Sequence, residues 1–402
     1  LLNIKLDQVT INQIKEKNLI EDILKEENVE INRDGFARCP FHDEKTPSFR
    51  VYTDSNTYHC YGCSAGIKGN DLRVRDGNII TDAGSDVIAL YQNLKQVSFI
   101  DACIELMNRS GIMAEVNDIS PEVYQLKESI TTRNRQYYSA LLQYEPALEY
   151  LYQRGITDES IKTWRLGYVP QSDPQSSIRN RIAFPFIEDS LDQSKAKTIA
   201  MAYRKLSDYD EGPKYRNDSN SAIYHKSSNL YGFNFARQPI YKLDSVFIVE
   251  GYIDTILCHQ HGILNAVGLG GTAFTEEQIT KLQKLTNNIV LWYDSDDAGQ
   301  QVMMKMAPIL IEKGFNVSIV LPSNNLDPAD IISRYKDDVH EYLHTHMMSF
   351  LDYIIEKETT VINRQVSKLK LEAYQKIHPI IDKIQLKHTK SFYENYLNSR
   401  LL

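Results

Sequence analysis

The sequence predicts a multidomain α/β fold: a zinc-ribbon module at the N-terminus, a basic α+β segment, a parallel α/β sheet and a closing helical bundle. Three observations carry that expectation. Two close Cys/His pairs stand near the N-terminus, and short apolar runs alternate with helical patterns between residues 246 and 321. Residues 337–402 repeat apolar positions such as Tyr342, Phe350, Ile354, Leu369, Ile377 and Ile381 at helical spacing. A chain of 402 residues has room for about two to three such domains.

Residues 7–29 carry two short amphipathic helical patterns. Cys39, His42, Cys60 and Cys63 follow, each pair separated by two residues and the pairs by enough chain for a hairpin. Such spacing brings both side chains of a knuckle to one tetrahedral ion, and three thiolates with one imidazole make a closed structural set for a single Zn²⁺. His59 has the wrong phase for a ligand and is expected to be a hairpin residue. Of five cysteines the remaining two, Cys103 and Cys258, sit alone in apolar helical patterns, as inert core residues. That distribution fits a reducing compartment rather than a disulfide framework. Lys45, Ser48, Arg50, Tyr52 and Tyr58 offer donors and aromatic faces suited to single-stranded nucleic acid, or equally a solvated strand face.

Helices are expected at 86–95 and 98–110, the second opening on a Ser98…Asp101 capping pattern and stopping at Gly111. The polar stretch Asn117–Pro121 reads as a linker, and residues 123–154 as further helices. No internal repeat or low-complexity tract is present.

From residue 246 the pattern is strand 246–250, helix 254–260, strand 264–268, helix 276–285, strand 288–293, helix 298–313 and strand 316–321. In such parallel sheets ligands sit at the carboxyl ends of the strands. Glu250, Asp254, Asp294 and Asp296 fall at those ends, so they are expected to share one rim. Two bare carboxylates about 4 Å apart at an effective dielectric of about 20 repel by about 4 kcal/mol. Either their pKa values rise or a hard divalent cation, Mg²⁺ or Mn²⁺, neutralises them. Taken singly, each acid has the plainer reading of a solvated turn residue or helix cap. Gly268-Leu269-Gly270-Gly271-Thr272 allows close approach of backbone to a phosphate, or is simply a tight turn. A third acidic cluster, Asp327-Pro328-Ala329-Asp330, follows the last strand.

The formal charge of −8 argues against a uniformly basic coat, so phosphate contacts must come from a local patch. No apolar run reaches the length of a membrane span and no signal sequence opens the chain, which predicts a cytoplasmic protein without membrane contact.

Glu250-Gly251-Tyr252-Ile253-Asp254 and Asp294-Ser295-Asp296 resemble the glutamate and DxD motifs of the TOPRIM domain, shared by primases, topoisomerases and some nucleases. The stretch Cys39-Pro40-Phe41-His42-Asp43-Glu44-Lys45-Thr46-Pro47-Ser48-Phe49, closed by Cys60-Tyr61-Gly62-Cys63, is similar to the zinc-binding domain of bacterial DnaG-type primases. Arg154-Gly155-Ile156, Leu166-Gly167-Tyr168, Asn180-Arg181-Ile182, Pro213-Lys214-Tyr215-Arg216-Asn217 and Tyr224-His225-Lys226 resemble landmarks of that family's polymerase core. The resemblance covers nearly the whole chain and stops before the family's separate helicase-interacting domain.

The sequence also departs from the family. Residues 67–83 stand between the second cysteine pair and the Gly84-Ser85-Asp86-Val87-Ile88 helix start, and their Gly69-Asn70-Asp71 and Asp76-Gly77-Asn78 turns suggest an inserted β-hairpin. Its Lys68, Arg73 and Arg75 either touch template or belong to a solvated loop. Asp218-Ser219-Asn220-Ser221 replaces Ser-Pro-Glu-Thr after Asn217, and 189–197 looks like an enlarged hairpin loop. Ala329 stands where the family has the second acid of an Asp-Pro-Asp motif, with Asp330 one step later as a candidate substitute, which implies a weaker or rearranged outer metal site.

What the resemblance implies is a DNA-directed RNA primase that makes short primers on single-stranded DNA by metal-dependent nucleotidyl transfer. Glu250, Asp254, Asp294, Asp296, Lys214 and Lys226 would be catalytic. Arg181, Arg204, Lys214, Asn217 and Lys226 would bind template and nucleotide, and Glu250, Asp294, Asp296, Asp327 and Asp330 would hold one to three Mg²⁺ or Mn²⁺ ions. Expected partners are single-stranded DNA, ribonucleoside triphosphates and the RNA–DNA primer duplex, with a replicative helicase reached by a route other than the usual C-terminal domain. The expected state is a monomer, in a bacterium or in a phage or mobile element within one. The division that follows is a zinc domain 1–115, linker 116–135, basic subdomain 136–244, TOPRIM domain 245–330 and helical bundle 331–402. The competing readings are a TOPRIM nuclease or topoisomerase, and a non-catalytic adaptor that binds single strands through the zinc hairpin.

Overall fold

A computed structural model describes residues 8–66, 73–75, 78–80, 85–97, 99–112, 120–190, 195–207, 212–271, 274–321, 326–360 and 367–401. The chain divides into two compact units, Leu1–Ser120 with Ser190–Asp192, and Pro121–Asp189 with Gln193–Leu402.

In the smaller unit, helices α1 (Gln8–Lys17) and α2 (Ile20–Glu26) precede strands β1 (Phe36–Ala37), β2 (Phe49–Tyr52) and β3 (Thr57–Cys60), which form an antiparallel sheet in that order. Alternation sorts the strand residues. Phe49, Val51, Tyr58 and Cys60 face the core with Ile14, Ile20, Leu24 and Phe41, leaving Arg50, Tyr52 and His59 on the other face. Tyr58 is therefore a core residue, not part of a binding face. The expected insertion hairpin is present as β4 (Arg73–Arg75) antiparallel to β5 (Asn78–Ile80). Its turn, Lys68 and the side chains of Arg73 and Arg75 lie outside the described residues, as do Ser98 and most of the 117–121 linker.

Asp86 starts α3 (Val87–Lys95) by accepting hydrogen bonds from the backbone of Ile88 and Ala89, 3.0 Å each, and α4 (Phe99–Ser110) packs alongside. Cys103 is buried on α4, and burial pushes its thiol up to about 12, as an inert core residue requires.

The larger unit opens with α5 (Pro121–Leu141), α6 (Glu145–Gln153) and α7 (Asp158–Thr163). An antiparallel sheet follows: β6 (Gly167–Val169), β7 (Arg181–Ile187), β8 (Thr198–Lys205) and β9 (Tyr215–Asn217), in chain order, with α5 across it. Asp218, one of the departures from the family pattern, pins this edge by accepting from Met201 N (2.9 Å) and the Tyr203 hydroxyl (3.0 Å).

After α8 (Phe233–Leu243) come β10 (Val246–Val249), α9 (Tyr252–Gln260), β11 (Ala266–Gly268), α10 (Glu276–Gln283), β12 (Asn288–Leu291), α11 (Asp297–Glu312) and β13 (Asn316–Val320). These strands are parallel in the order β11-β10-β12-β13. The runs are continuously apolar because both faces are covered. Val246, Ile248, Ile289, Leu291 and Ile319 enter one core, while Val249, Val290, Trp292 and Val320 enter the other.

Helices α12 (Pro328–Tyr335) and α13 (Val339–His346) then lead into β14 (Met347–Ser349), which joins β13 antiparallel at the sheet edge. This strand departs from the all-helical expectation for residues 337–402. Three residues are too few to show a period, and pairing with β13 alone defines it. Helices α14 (Phe350–Thr360), α15 (Ser367–Ile381) and α16 (Lys387–Leu401) close the chain.

Candidate functional site

The ligand atoms of Cys39, His42, Cys60 and Cys63 all lie within 4.8 Å of one another. Zn–S bonds of about 2.3 Å to a tetrahedral ion set S···S edges of about 3.8 Å and S···N edges of about 3.6 Å. The Cys39 and Cys63 sulfurs are 3.7 Å apart, and Cys60 Sγ is 3.9 Å from His42 Nδ1. The donor set fits zinc in both chemistry and size. Glu44 lies directly behind it, accepting from the backbone N–H of Cys39 (2.7 Å) and Ser48 (2.9 Å).

On the opposite sheet face, the Arg50 guanidinium lies 5.2 Å from the Phe36 ring centroid and 5.0 Å from that of Tyr52. The Tyr52 and Tyr61 hydroxyls are 2.8 Å apart, and His59 packs edge-on to Tyr61. This is a connected aromatic and cationic surface, and Ser48 is committed elsewhere.

In the larger unit a cleft of about 340 Å³ opens at the carboxyl ends of the parallel strands. Glu250 follows β10, and its Oε1 accepts from Asp294 N at 3.3 Å, which ties the ends of β10 and β12 together. Asp254 lies in the first turn of α9, where its Oδ2 accepts from Gly251 N at 2.9 Å. Asp327 caps α12 through Asp330 N (2.7 Å), and Asp296 caps α11 through Gly299 N (2.8 Å). The cap reading and the site reading both hold here, since a capping carboxylate keeps a second oxygen.

Glu250, Asp254, Asp294 and Asp327 line the cleft together, opposite Lys214, Lys226, Arg204 and Asn217. Asp296 and Asp330 are exposed and do not line it. Ala329 does, so Asp330 has not taken over the place of the missing acid.

The electrostatics bear the marks of crowded acids. Burial first, then Asp294 and Asp296, raises the Glu250 pKa; burial first, then Asp327 and Asp296, raises that of Asp294. Asp254 is pushed up to about 7 by burial and by Asp327 and Asp294. Among the described residues no three of these acids bring their ligand atoms within 4.8 Å of one another, as the four zinc ligands do. That spacing suits an ion keeping waters or substrate oxygens in its shell, as Mg²⁺ does, rather than an all-protein cage.

The basic wall is built with equal care. The Arg204 guanidinium lies 4.6 Å from the Tyr150 ring centroid and 5.9 Å from that of Tyr215, a stacked position that a lysine would not fill. Tyr252 donates its hydroxyl to Asn217 Oδ1 at 2.5 Å. Lys226 sits on a loop held by α10. Thr275 Oγ1 donates to Ser227 O, Gln278 Nε2 to Asn229 O (2.8 Å) and Lys281 Nζ to Ser228 O (3.2 Å).

Arg181 is placed differently from expectation. It is 3% exposed and donates through Nη1 to the carbonyls of Pro213 (3.0 Å) and Lys214 (3.4 Å). It stands behind the Lys214 backbone rather than in the cleft, because β7 is an inner strand. Sequence reasoning also missed Arg154, which lines the cleft from the end of α6. Burial opposes its charge, but Tyr150 and Asp327 together raise its pKa. Its Arg-Gly-Ile setting was the available signal.

Family models match three segments in order: CHC2 zinc finger over residues 6–74, DNA primase catalytic core, N-terminal domain over 173–237, and Toprim-like over 247–332. A DNA primase of Staphylococcus aureus is 30% identical over 379 residues, covering 83% of this chain and 59% of its own length. One from Staphylococcus epidermidis is 30% identical over 405 residues, covering 89% and 63%. The chain thus spans about three-fifths of the length of these curated relatives.

The crystal structure of the Aquifex aeolicus primase zinc-binding and RNA polymerase domains shares the fold, with TM-score 0.60 and 23% identity over 97% of this chain and 96% of that one. The RNA polymerase domain of Mycobacterium tuberculosis primase, solved with double-stranded DNA, matches with TM-score 0.59 and 20% identity over 69% and 98%. A primase catalytic domain solved with single-stranded DNA gives 0.58 and 21% over 69% and 95%. No helix among the described residues is long and apolar enough to cross a membrane. The order of the three matched modules, and an identity that runs through them, make this chain a member of the DnaG-type DNA primase family.

Proposed function

We propose that the chain is a DNA-directed RNA primase, which joins ribonucleotides on a single-stranded DNA template. The observation that carries this reading is the cleft in which Arg154, Arg204, Lys214 and Lys226 face Glu250, Asp254, Asp294 and Asp327. A polyanionic triphosphate needs cations on one side and a neutralised acidic rim on the other. Lys214 and Lys226 act as mobile point charges for phosphates, and the stacked Arg204 offers a fixed planar fork. Glu250, Asp294 and Asp327, with Asp296 and Asp330 at the margin, are the residues that would hold Mg²⁺ or Mn²⁺. What such an ion supplies is neutralisation of the triphosphate and easier ionisation of the attacking 3′-hydroxyl. Asn217, fixed by Tyr252, orients bound nucleotide, and Arg181 keeps the Lys214 backbone in place. Binding in this geometry makes positioning and charge stabilisation the main sources of rate.

The Arg50, Tyr52 and Tyr61 face of the zinc ribbon is assigned to template bases, which stack on aromatic rings whatever their sequence. The partners we assign are single-stranded DNA, ribonucleoside triphosphates and the primer duplex, and the domain borders expected from the sequence are retained as the proposed division. The test is to incubate the protein with single-stranded template, labelled ribonucleotides and Mg²⁺ or Mn²⁺. Labelled primers support the reading. Cleaved template would make the protein a nuclease, and binding without either product would make it an adaptor.

A further inference from the structure

The zinc ribbon contains a carboxylate that is not a ligand and yet is surrounded by donors. Glu44 has 10% of its side chain exposed, although its neighbours Asp43 and Lys45 point into solvent. Its Oε1 accepts from Cys39 N at 2.7 Å and Ser48 N at 2.9 Å. Its Oε2 accepts from the Ser48 hydroxyl and lies 3.2 Å from His42 Nε2. The other ring nitrogen, Nδ1, is the one that faces Cys60 Sγ, at 3.9 Å. Gly62 roofs the arrangement: a Cβ there would come 2.6 Å from His42 Nε2 and 2.7 Å from Ser48 Oγ.

We propose that Glu44 is the positioning residue of the zinc centre: it takes the His42 Nε2 proton in a hydrogen bond and so commits Nδ1 to the metal. An imidazole that ligates through one nitrogen needs an acceptor at the other, which fixes its tautomer and plane and raises its basicity. Glu44 also ties that acceptor to the Cys39 backbone, so one carboxylate links both knuckle residues of the first pair. Ser48, whose hydroxyl proton goes to Glu44, also stands beside the second pair, with its Oγ 3.3 Å from Cys60 Sγ.

A glutamine cannot replace Glu44. With its oxygen on the Cys39 and Ser48 N–H groups, a glutamine would turn its NH₂ toward the His42 Nε2–H, donor against donor; in the other orientation the NH₂ would face two backbone N–H groups. The neighbouring acid supplies the control, because Asp43→Asn removes the same charge from an exposed position outside the linkage.

The experiment uses the full zinc-loaded chain. In competition with a chromogenic chelator, Glu44→Gln is expected to lower zinc affinity by about 10–100-fold, while Asp43→Asn stays within twofold of the parent. The second measurement needs no variant: ¹⁵N-histidine labelling and long-range ¹H–¹⁵N correlation of the zinc-loaded parent should show His42 metal-bound through Nδ1 and protonated at Nε2. Coordination through Nε2, or zinc affinity of Glu44→Gln within twofold of the parent, overturns the proposal. Loss of zinc by Asp43→Asn to the same degree as by Glu44→Gln also overturns it, since net charge would then be the cause.

Discussion

At Glu250 the cost of assembling the site is local. Burial and the neighbouring Asp294 and Asp296 disfavour its charge. Its folded pKa is raised, so in metal-free protein the charged form is penalised above the ordinary carboxylate range and the penalty disappears in acid. Glu250→Gln should therefore raise the melting temperature in EDTA at pH 7.5 and leave it unchanged near pH 4. The same variant should lower primer yield by about 100-fold or more, the scale of a lost charge-stabilising group. Arg181 makes the opposite kind of residue-level prediction. Buried against the Pro213 and Lys214 carbonyls, it should contribute stability without counting as a phosphate contact. Arg181→Met should cost about 1–3 kcal/mol in urea unfolding. The slope of log affinity for single-stranded DNA against log salt should stay the same, whereas Lys214→Ala should make it shallower by about 0.7. A shallower slope for Arg181→Met would put that guanidinium back on the nucleic acid.

At the level of elements, α10 matters for what it holds. Its capping-box residue Gln278 is fully buried and binds the Asn229 carbonyl of the Lys226 loop. Gln278→Leu should raise the KM for nucleotide several-fold with little change in kcat, because the loop loses its place while the acids keep theirs. A drop in kcat at unchanged KM would contradict this. Helix α9 carries a pH response. His259 donates to Ala266 O at 2.8 Å, and burial lowers its pKa to about 4. The unfolded chain takes up this proton near the ordinary value of about 6.5, so stability is complete above that pH and is lost as pH falls toward 4. The loss should approach about 3 kcal/mol, and His259→Gln should flatten it in urea melts at pH 7.5 and 4.5.

The same scale shows what was legible in the sequence. Strands β10, β12 and β13 were readable because burial on both faces leaves uninterrupted apolar runs. Helices α10 and α11 were readable from Thr275…Gln278 and Gly314. Strand β14 was not, since Met347-Met348-Ser349 has no period of its own. The acids stood out because spacing along strands survives folding as spacing along a rim. Arg154 did not, because 96 residues separate it from Glu250 and only the three-dimensional path brings the two to one cleft. Arg181 misled because a charged residue at a strand start ordinarily faces water.

For the molecule as a whole, the two units draw on different sources of stability. The smaller holds three thiols and an imidazole at zinc spacing around a modest core, whereas the larger wraps two extended cores around its parallel sheet. Metal binding can supply on the order of 10 kcal/mol to such a module. Prolonged chelation should therefore melt the zinc ribbon alone, seen as protease cleavage before residue 121 with the rest of the chain left intact. Simultaneous digestion of both units would count against this division.

The parallel sheet has one further property, set by its margins. On one side β14 lies along β13; on the other, Tyr231 forms an antiparallel bridge with Gly268 through bonds of 2.8 and 3.0 Å. Open strand margins are where chains recruit one another into swapped or fibrous assemblies. Strand β13 is flanked on both sides, and the margins that remain are the three residues of β14 and a β11 bridged at Gly268, both short. The sheet thus offers a second copy of the chain little backbone on which to nucleate a shared sheet.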